Sequence, residues 1–545
     1  MKKHTLIQGA GILALAGIIV KCMGIFLRIP VGNMIGDIGM SNYSPAYIIY
    51  SFLLIVSTAG IPIAISRLIS EYRALGDYHT AERVFSIAFK LMFALGLFFA
   101  VVLFVFAENI AEFLGNTDAA PAMKVIAPAL LFVPLLASFR GYFQGMQNMI
   151  PTALSEITEQ FMRVVVGLTC TYIFFYILKD GSILDSYDKY TRGAVGATIG
   201  APVGAFFALS LMALIYKLAR PNIKKKLVNA KSDYSISDKT ILKNILAIAI
   251  PVMLGAALYN ILTIIDTIVV IPRLKAGVGM DETMAKALYG QLSGFIYPIL
   301  GIPLVLLQAV MISIVPIIAA AYKIKDKISL SDNLNMGLRL SSIITFPCAI
   351  GMFVLSKEIL LLMYPNQVKS AIEASSILQI ASIAIILTMI MQIITSILQA
   401  IGKQMIPIKA LIVGVVVKFV SAWILIGISF INIHGAIISN ILAFGVMIFI
   451  GYSSMIKYSK VHVNCFNVFI RPMIAAVVMG LFVYITKFIC GKFIPSSTIV
   501  TLLAIIIGVF SYIIMVVKTK TITEEEILMM PKGEKIHSIM SKFVK

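Results

Sequence analysis

The feature that most constrains this chain is its near-unbroken succession of apolar runs, about twenty residues or longer, each bounded by a short polar, glycine or proline cluster. About 20 apolar residues make a helix long enough to cross a bilayer. Backbone in lipid must satisfy its own hydrogen bonds, so only helices and closed barrels span it. Runs at approximately 6 to 30, 45 to 70, 84 to 107, 124 to 146, 151 to 178, 193 to 218, 241 to 271, 286 to 321, 336 to 362, 371 to 401, 405 to 430, 434 to 456, 468 to 490 and 497 to 517 predict an all-α integral membrane protein of about fourteen helices. The run from 286 to 321 is too long for one straight crossing, and Pro298, Pro303 and Pro316 predict kinks or a re-entrant start. With 60% of 545 residues hydrophobic and only 13% charged, a soluble protein is excluded.

The net charge of +20 would point to nucleic acid in a soluble protein; in a membrane protein it marks loops held on the cytoplasmic side. With the N-terminus inside, 29 of the 45 basic residues fall in inside segments, 11 in outside segments and five within helices. That asymmetry predicts a multi-pass plasma-membrane protein with both termini cytoplasmic, an even number of helices and no nucleic-acid partner. The opening MKKHTLIQGAGILALAGIIVKCMGIFLRIP lacks a small-residue cleavage site and runs on too long for a signal peptide, so it reads as a retained first helix. Cys22, Cys170, Cys348, Cys465 and Cys490 show no paired spacing, which predicts neither a disulfide framework nor a metal site.

An internal repeat is visible. RGYFQGMQNMIPTALSEITEQFMRVVVG from Arg140 resembles TSILQAIGKQMIPIKALIVGVVVKFVS from Thr395, an offset of 255 that places Arg163 on Lys418. AISRLISEYRALGD ending at Asp77 overlies SIVPIIAAAYKIKD ending at Asp326, an offset of 249. The predicted plan is a six-helix lobe over 1–219, a basic cytoplasmic linker over 220–240 and a second six-helix lobe over 241–458. Two extra helices over 459–518 and a cytoplasmic tail over 519–545 follow. Duplicated bundles of this size are the usual machinery of alternating access.

No G-x-x-x-x-G-K-[ST], H-E-x-x-H or G-x-S-x-G motif occurs, so the sequence makes no case for nucleotide hydrolysis, a zinc hydrolase or a serine hydrolase. What stands out is charge within helices, which costs ~3 kcal/mol or more at the centre unless turned to a cavity or partner. Lys21 and Arg28, seven residues apart, share one face of the first helix and suit an elongated anion; Arg28 reads equally as a snorkelling residue. Glu156, Glu159 and Arg163 share a face of the fifth, either as an internal Glu159–Arg163 pair or lining a cavity. Lys418 has no acid in its own helix. Asp266 is the only acid of an apolar run and reads as a counter-charge, a proton or Na+ carrier, or a packing residue. Arg67 with Glu71 at i+4 is a candidate cytoplasmic gate or a solvated cap, Arg273 is ambiguous, and Lys90 reads as snorkelling. Gly196, Gly200 and Gly204 at every fourth position predict close helix packing.

The segments KCMGIFLRIPVGNMIG (21–36), GIPIAISRLISEYRALGD (60–77) and RGYFQGMQNMIPTALSEITEQFMRVVVG (140–167) closely resemble the Gram-positive polysaccharide-biosynthesis branch of the multidrug/oligosaccharidyl-lipid/polysaccharide (MOP) exporter superfamily, which includes the MurJ-type lipid II flippases and stage V sporulation protein B. The resemblance implies fourteen helices in two lobes around a cationic cavity. It also implies movement of undecaprenyl-pyrophosphate-linked saccharide to the outer leaflet by a monomer among membrane lipids. It makes Lys21, Arg28, Arg163, Lys418 and Arg273 candidates for the pyrophosphate, with Glu156, Glu159 and Asp266 as cavity or ion-coupling acids. The two extra helices resemble those that form a groove for the polyprenyl tail. Where Gram-negative members carry an acid before the second helix and an arginine on the eighth, this chain has Asn42 and Gln291. No cofactor is expected; the driving force would be membrane potential, Na+ or H+. A sporulation- or capsule-specific flippase of the same fold and a drug antiporter remain open, whereas a glycosyltransferase or ligase would need a catalytic carboxylate or a sizeable external loop.

Overall fold

The computed structural model describes residues 3–178, 188–228, 236–494 and 496–521. All regular structure among them is helical. Contacts divide the chain into two compact units, Met1–Gly294 and Phe295–Lys545. The first unit contains α1 (Lys3–Thr58), α2 (Ile61–Ala74), α3 (Tyr78–Val105), α4 (Ala107–Phe113) and α5 (Ala120–Ile126). It continues with α6 (Ala129–Gly145), α7 (Ile150–Tyr172), α8 (Lys189–Val228), α9 (Asp238–Val278) and α10 (Glu282–Gly290). The second contains α11 (Tyr297–Lys323), α12 (Lys327–Val354), α13 (Ser356–Met363) and α14 (Val368–Ala400), then α15 (Met405–Ile426), α16 (His434–Ser459), α17 (Arg471–Phe493) and α18 (Ser497–Lys518).

Thirteen helical stretches among the described residues are long and apolar enough to cross a membrane, and the first of these, Gly11–Ala74, runs for 64 residues. Within it, α1 is not straight. Gly36 has φ +66° and ψ −170°, a region essentially reserved for glycine. The guanidinium of Arg28 stands 4.9 Å from the Tyr47 ring centroid, although 19 residues of straight helix would part them by about 28 Å. α1 therefore doubles back at Gly36, and its two limbs (3–35 and 37–58) turn this stretch into two crossings. Counted so, the spans number the fourteen expected. The predicted span 45 to 70 is the outgoing limb plus α2, broken at Ala59 and Gly60.

The first unit's core packs Ile61, Ile65 and Ile69 of α2 against Phe85 of α3, Tyr142 of α6, Met212 of α8 and Ile245 of α9. The unit itself extends past the predicted lobe boundary, to Gly294, for a steric reason. A Cβ on Gly290 would overlap the carbonyl oxygen of Asp37, and one on Gly294 would stand 2.5 Å from the Met40 Cβ. These two glycines seat α10 and the π-helical turn Gln291–Ile296 directly on the outgoing limb of α1. That turn, ahead of all three prolines, is where the long run 286 to 321 is interrupted.

In the second unit α12, α14 and α16 pack around Leu334, Leu338, Ile393, Ile397 and Met455. α17 and α18 close over Met479, Val483 and Ala504, and the Tyr512 hydroxyl donates to the Ile343 carbonyl at 2.7 Å. The repeat is visible as matched boundaries. α3 begins at Tyr78 and α12 at Lys327, offset 249, each capped by the preceding aspartate: Asp77 accepts from the Thr80 N–H, Asp326 from those of Ile328 and Ser329. α7 begins at Ile150 and α15 at Met405, offset 255. The predicted linker 220–240 is taken up in part by the end of α8 and the start of α9, and 229–235 lie outside the described residues, as do 522–545 of the predicted tail.

Candidate functional site

The first unit gathers charge and aromatic rings around the hairpin of α1. Tyr43, Tyr47 and Tyr50 recur at i, i+4 and i+7 on the outgoing limb, so they line one face, with successive ring centroids 5.9 Å apart. The incoming limb lays Arg28 over the Tyr47 ring, a cation–π contact that strengthens as water is removed. From α7, Arg163 reaches the Tyr47 hydroxyl at 3.5 Å and the Glu159 carboxylate at 2.6 Å. The other Glu159 oxygen accepts from Arg140 of α6 at 3.0 Å, while the Arg140 Nε donates to Ser155 at 2.9 Å. One carboxylate thus bridges two guanidinium groups in a mostly buried setting.

α8 holds this face in place. A Cβ on Gly196, Gly200 or Gly204 would overlap the carbonyl oxygen of Cys170, Arg163 or Glu159 respectively, so the glycine stripe sets the α7–α8 distance at the charged residues themselves. Gly167 of α7 completes the seam, with Leu27 of α1 within contact distance of its missing side chain.

Of the residues singled out in the sequence, Arg28, Glu159 and Arg163 are brought together. Glu156 is half-buried one turn earlier on α7, and Lys21 is exposed two turns before Arg28 on the incoming limb. Arg67 and Glu71 form a solvent-exposed pair at 2.8 Å on α2, and Lys90 is exposed. Asp266 is buried in α9, beside Thr267, whose hydroxyl accepts from Tyr289 at 3.0 Å; Arg273 is half-buried near the end of the same helix. Lys418 is buried in α15 of the second unit, 1% exposed.

Several residues were missed. Arg140 lies within the predicted run 124 to 146 and was not singled out, yet it is the second cation on Glu159; its place at the head of the repeat segment was the available signal. The tyrosine stripe was legible as a periodicity. A second polar cluster joins Asn42 to Thr191 at 3.1 Å and to Asn116 at 3.1 Å, with Asn116 also donating to the Ser41 carbonyl at 2.9 Å. Gln291 reaches an acid five residues earlier than position 42, donating to Asp37 at 3.2 Å. Lys286 of α10 bridges Asp118 at 2.7 Å and Glu282 at 2.9 Å, and Glu282 also takes Lys275.

A helical bundle with an internal repeat and a cation-rich, tyrosine-lined cluster among its membrane-length helices is the MOP fold of a polytopic membrane protein. Residues 6–322 match the model of the polysaccharide biosynthesis protein family, and the chain belongs to that family. Residues 251–424 also match the MatE model. The chain is 27% identical to the uncharacterized membrane protein YabM of Bacillus subtilis (strain 168), over 99% of this chain and 98% of that one. It is 25% identical to the lipid II flippase MurJ of the same organism, over 92% and 93%. Among solved structures, the inward closed conformation of lipid II flippase MurJ shares the fold at TM-score 0.66 and 16% identity, covering 92% of this chain and 97% of that one.

Proposed function

We propose that this protein is a flippase for a lipid-linked cell-wall precursor, carrying an undecaprenyl-pyrophosphate-linked saccharide, lipid II, from the cytoplasmic to the outer leaflet by alternating access. The observation that carries the reading is the Arg28, Arg140, Arg163, Tyr47 and Glu159 cluster of the first unit. Three guanidinium groups against Glu159 and Glu156 leave a net positive charge within apolar helices. Guanidinium is the side chain best shaped to take phosphate oxygens in pairs while partly desolvated. Glu159 balances Arg140 and Arg163 when no cargo is bound, and a pyrophosphate entering beside Arg28 takes over part of that role. In this reading Lys21, two turns back and exposed, meets the anion first.

No nucleotide motif is present to drive the cycle, so membrane potential, Na+ or H+ supplies the bias; a potential of 100 mV gives ~2.3 kcal/mol per charge moved. The positive-inside asymmetry supports both termini being cytoplasmic.

The test is flipping of fluorescent lipid II in vesicles holding the purified protein, with and without imposed potential. Arg28→Ala should lower the rate at least tenfold with protein level unchanged. Full activity in the Lys21→Ala, Arg28→Ala double variant would sink the assignment. Failure to replace an essential flippase in growing cells, with activity on another lipid-linked saccharide, would shift the cargo to a sporulation or capsule precursor; dye efflux that depends on Asp266 would favour an antiporter.

A further inference from the structure

The second unit holds a cavity of about 630 Å³ where α11, α14 and α16 end beside the start of α12, a size typical of ligand sites. Lys323, Lys325, Lys327 and Lys460 rim it, and Leu330 and Ile401 give it an apolar side. Tyr458, also in the wall, carries the Lys403 ammonium 4.5 Å and the Lys457 ammonium 5.9 Å from its ring centroid. Among the described residues no ion pair is formed by any of the four rim lysines. The neighbouring Asp326 carboxylate faces the backbone, accepting from the N–H groups of Ile328 and Ser329.

Lysines at helix C-termini commonly offset the terminal carbonyls, so that role has to be weighed first. Three helix ends carry roughly half a negative charge each, far less than the six lysines gathered here. The internal repeat gives a second control. At offset 249 the positions of Lys323, Lys325 and Lys327 are Ala74, Gly76 and Tyr78, and at offset 255 that of Lys403 is Asn148. The first half has no lysine at any of the four positions and closes the end of α2 with a single cation, Arg73, where the second half gathers several.

The backbone sharpens the contrast. Gly76 and Lys325 both take the left-handed conformation, at φ +80° and +59°, and Lys460 does so at φ +55°. Glycine is at ease there and a side chain is not. Two lysines are therefore kept in strained positions on the rim of one cavity, and no pairing within the described protein accounts for them.

We propose that this cavity is a binding site for a phosphate-bearing anion, independent of the cargo cluster: the phosphodiester headgroup of an anionic lipid or a soluble phosphate. The apolar side beside the cations fits a headgroup with its acyl chain, and the positive-inside count puts this end at the cytoplasmic leaflet, where anionic lipid attracts basic pockets.

The experiment uses the full-length protein in neutral detergent. Its thermal stability is measured against added phosphatidylglycerol, phosphatidylcholine, inorganic phosphate, and chloride at matched ionic strength. The Lys325→Gly, Lys460→Gly variant removes two cations and both strained positions, so it should fold with a Tm no lower than the parent. The concentration of phosphatidylglycerol giving half-maximal stabilisation should rise about fivefold per lysine removed. Lys323→Gln, Lys327→Gln, which leaves the backbone unchanged, should show the same loss and keeps the test open if the glycine variant expresses poorly. A lysine-dependent shift with phosphatidylglycerol alone assigns the lipid; the same shift with inorganic phosphate assigns a soluble anion. Equal stabilisation of variants and parent, or no response of the parent beyond that to phosphatidylcholine and chloride, overturns the proposal.

Discussion

Glu159→Gln tests the charge balance of the cluster most directly. The substitution preserves shape while removing the charge that faces Arg163 at 2.6 Å and Arg140 at 3.0 Å, and the three side chains keep only 12% to 16% exposure. Removing one partner of a buried pair typically costs ~3–5 kcal/mol, because the remaining ion is stranded in a poor solvent. Here Arg140 retains Ser155, Arg163 retains the Tyr47 hydroxyl, and the glutamine oxygen can still accept one bond, so the lower end, about 3 kcal/mol, is expected. At ~2–4 °C per kcal/mol for units of a few hundred residues, Tm should fall by about 6–12 °C. A thiol-reactive dye reporting on the five free cysteines, with Cys170 on α7 itself, supplies the assay. Adding Arg163→Gln removes one stranded cation, so the double variant should be at least 1 kcal/mol more stable than the two single losses sum to, within the usual range for contacting pairs. Inorganic pyrophosphate should raise the Tm of Glu159→Gln more than that of the parent. A Tm within about 2 °C of the parent for the single variant, together with strict additivity, would refute the reasoning that Glu159 is the internal counter-ion.

Other outcomes follow from local geometry. Gly290→Ala drives a Cβ into the Asp37 carbonyl and should sharply lower the yield of folded protein in size-exclusion profiles. Gly255→Ala, with open space around the new methyl, should leave Tm unchanged or raise it by the few tenths to 1 kcal/mol that a stiffer helix residue contributes. Asp77→Ala removes the side-chain cap of α3, which accepts from Thr80 at 2.9 Å, and should cost about 1 kcal/mol in thermal unfolding.

Much of the architecture could be read from hydropathy, because lipid imposes helices of one length and the apolar runs are that length. The repeat was readable for a similar reason: turn chemistry at Asp77 and Asp326, and at Ile150 and Met405, starts helices at matched positions. A reversal between the runs 6 to 30 and 45 to 70 was readable, but its placement at the single residue Gly36, with both limbs helical up to it, was not, since a lone glycine is as often a packing residue as a hinge. The π turn at 291–296 was likewise hidden, because the three prolines draw attention downstream. Within the cluster, the Glu159–Arg163 pair followed from i, i+4 spacing, whereas Arg140 and Tyr47 belong to other helices and meet it only through tertiary packing.

The glycine seam between α7 and α8 has a consequence for motion. Backbone carbonyls of Glu159, Arg163 and Cys170 lie where side chains on α8 would otherwise stand, so the two helices interlock like a key in its ward and cannot slide past each other without collision. In the proposed transport cycle, the carboxylate and guanidinium on α7 would travel with α8 as one solid piece. On the proposed reading, the grip on an anion would be set by what approaches or leaves that piece, Arg28 and the tyrosines on the α1 hairpin, rather than by rearrangement within it.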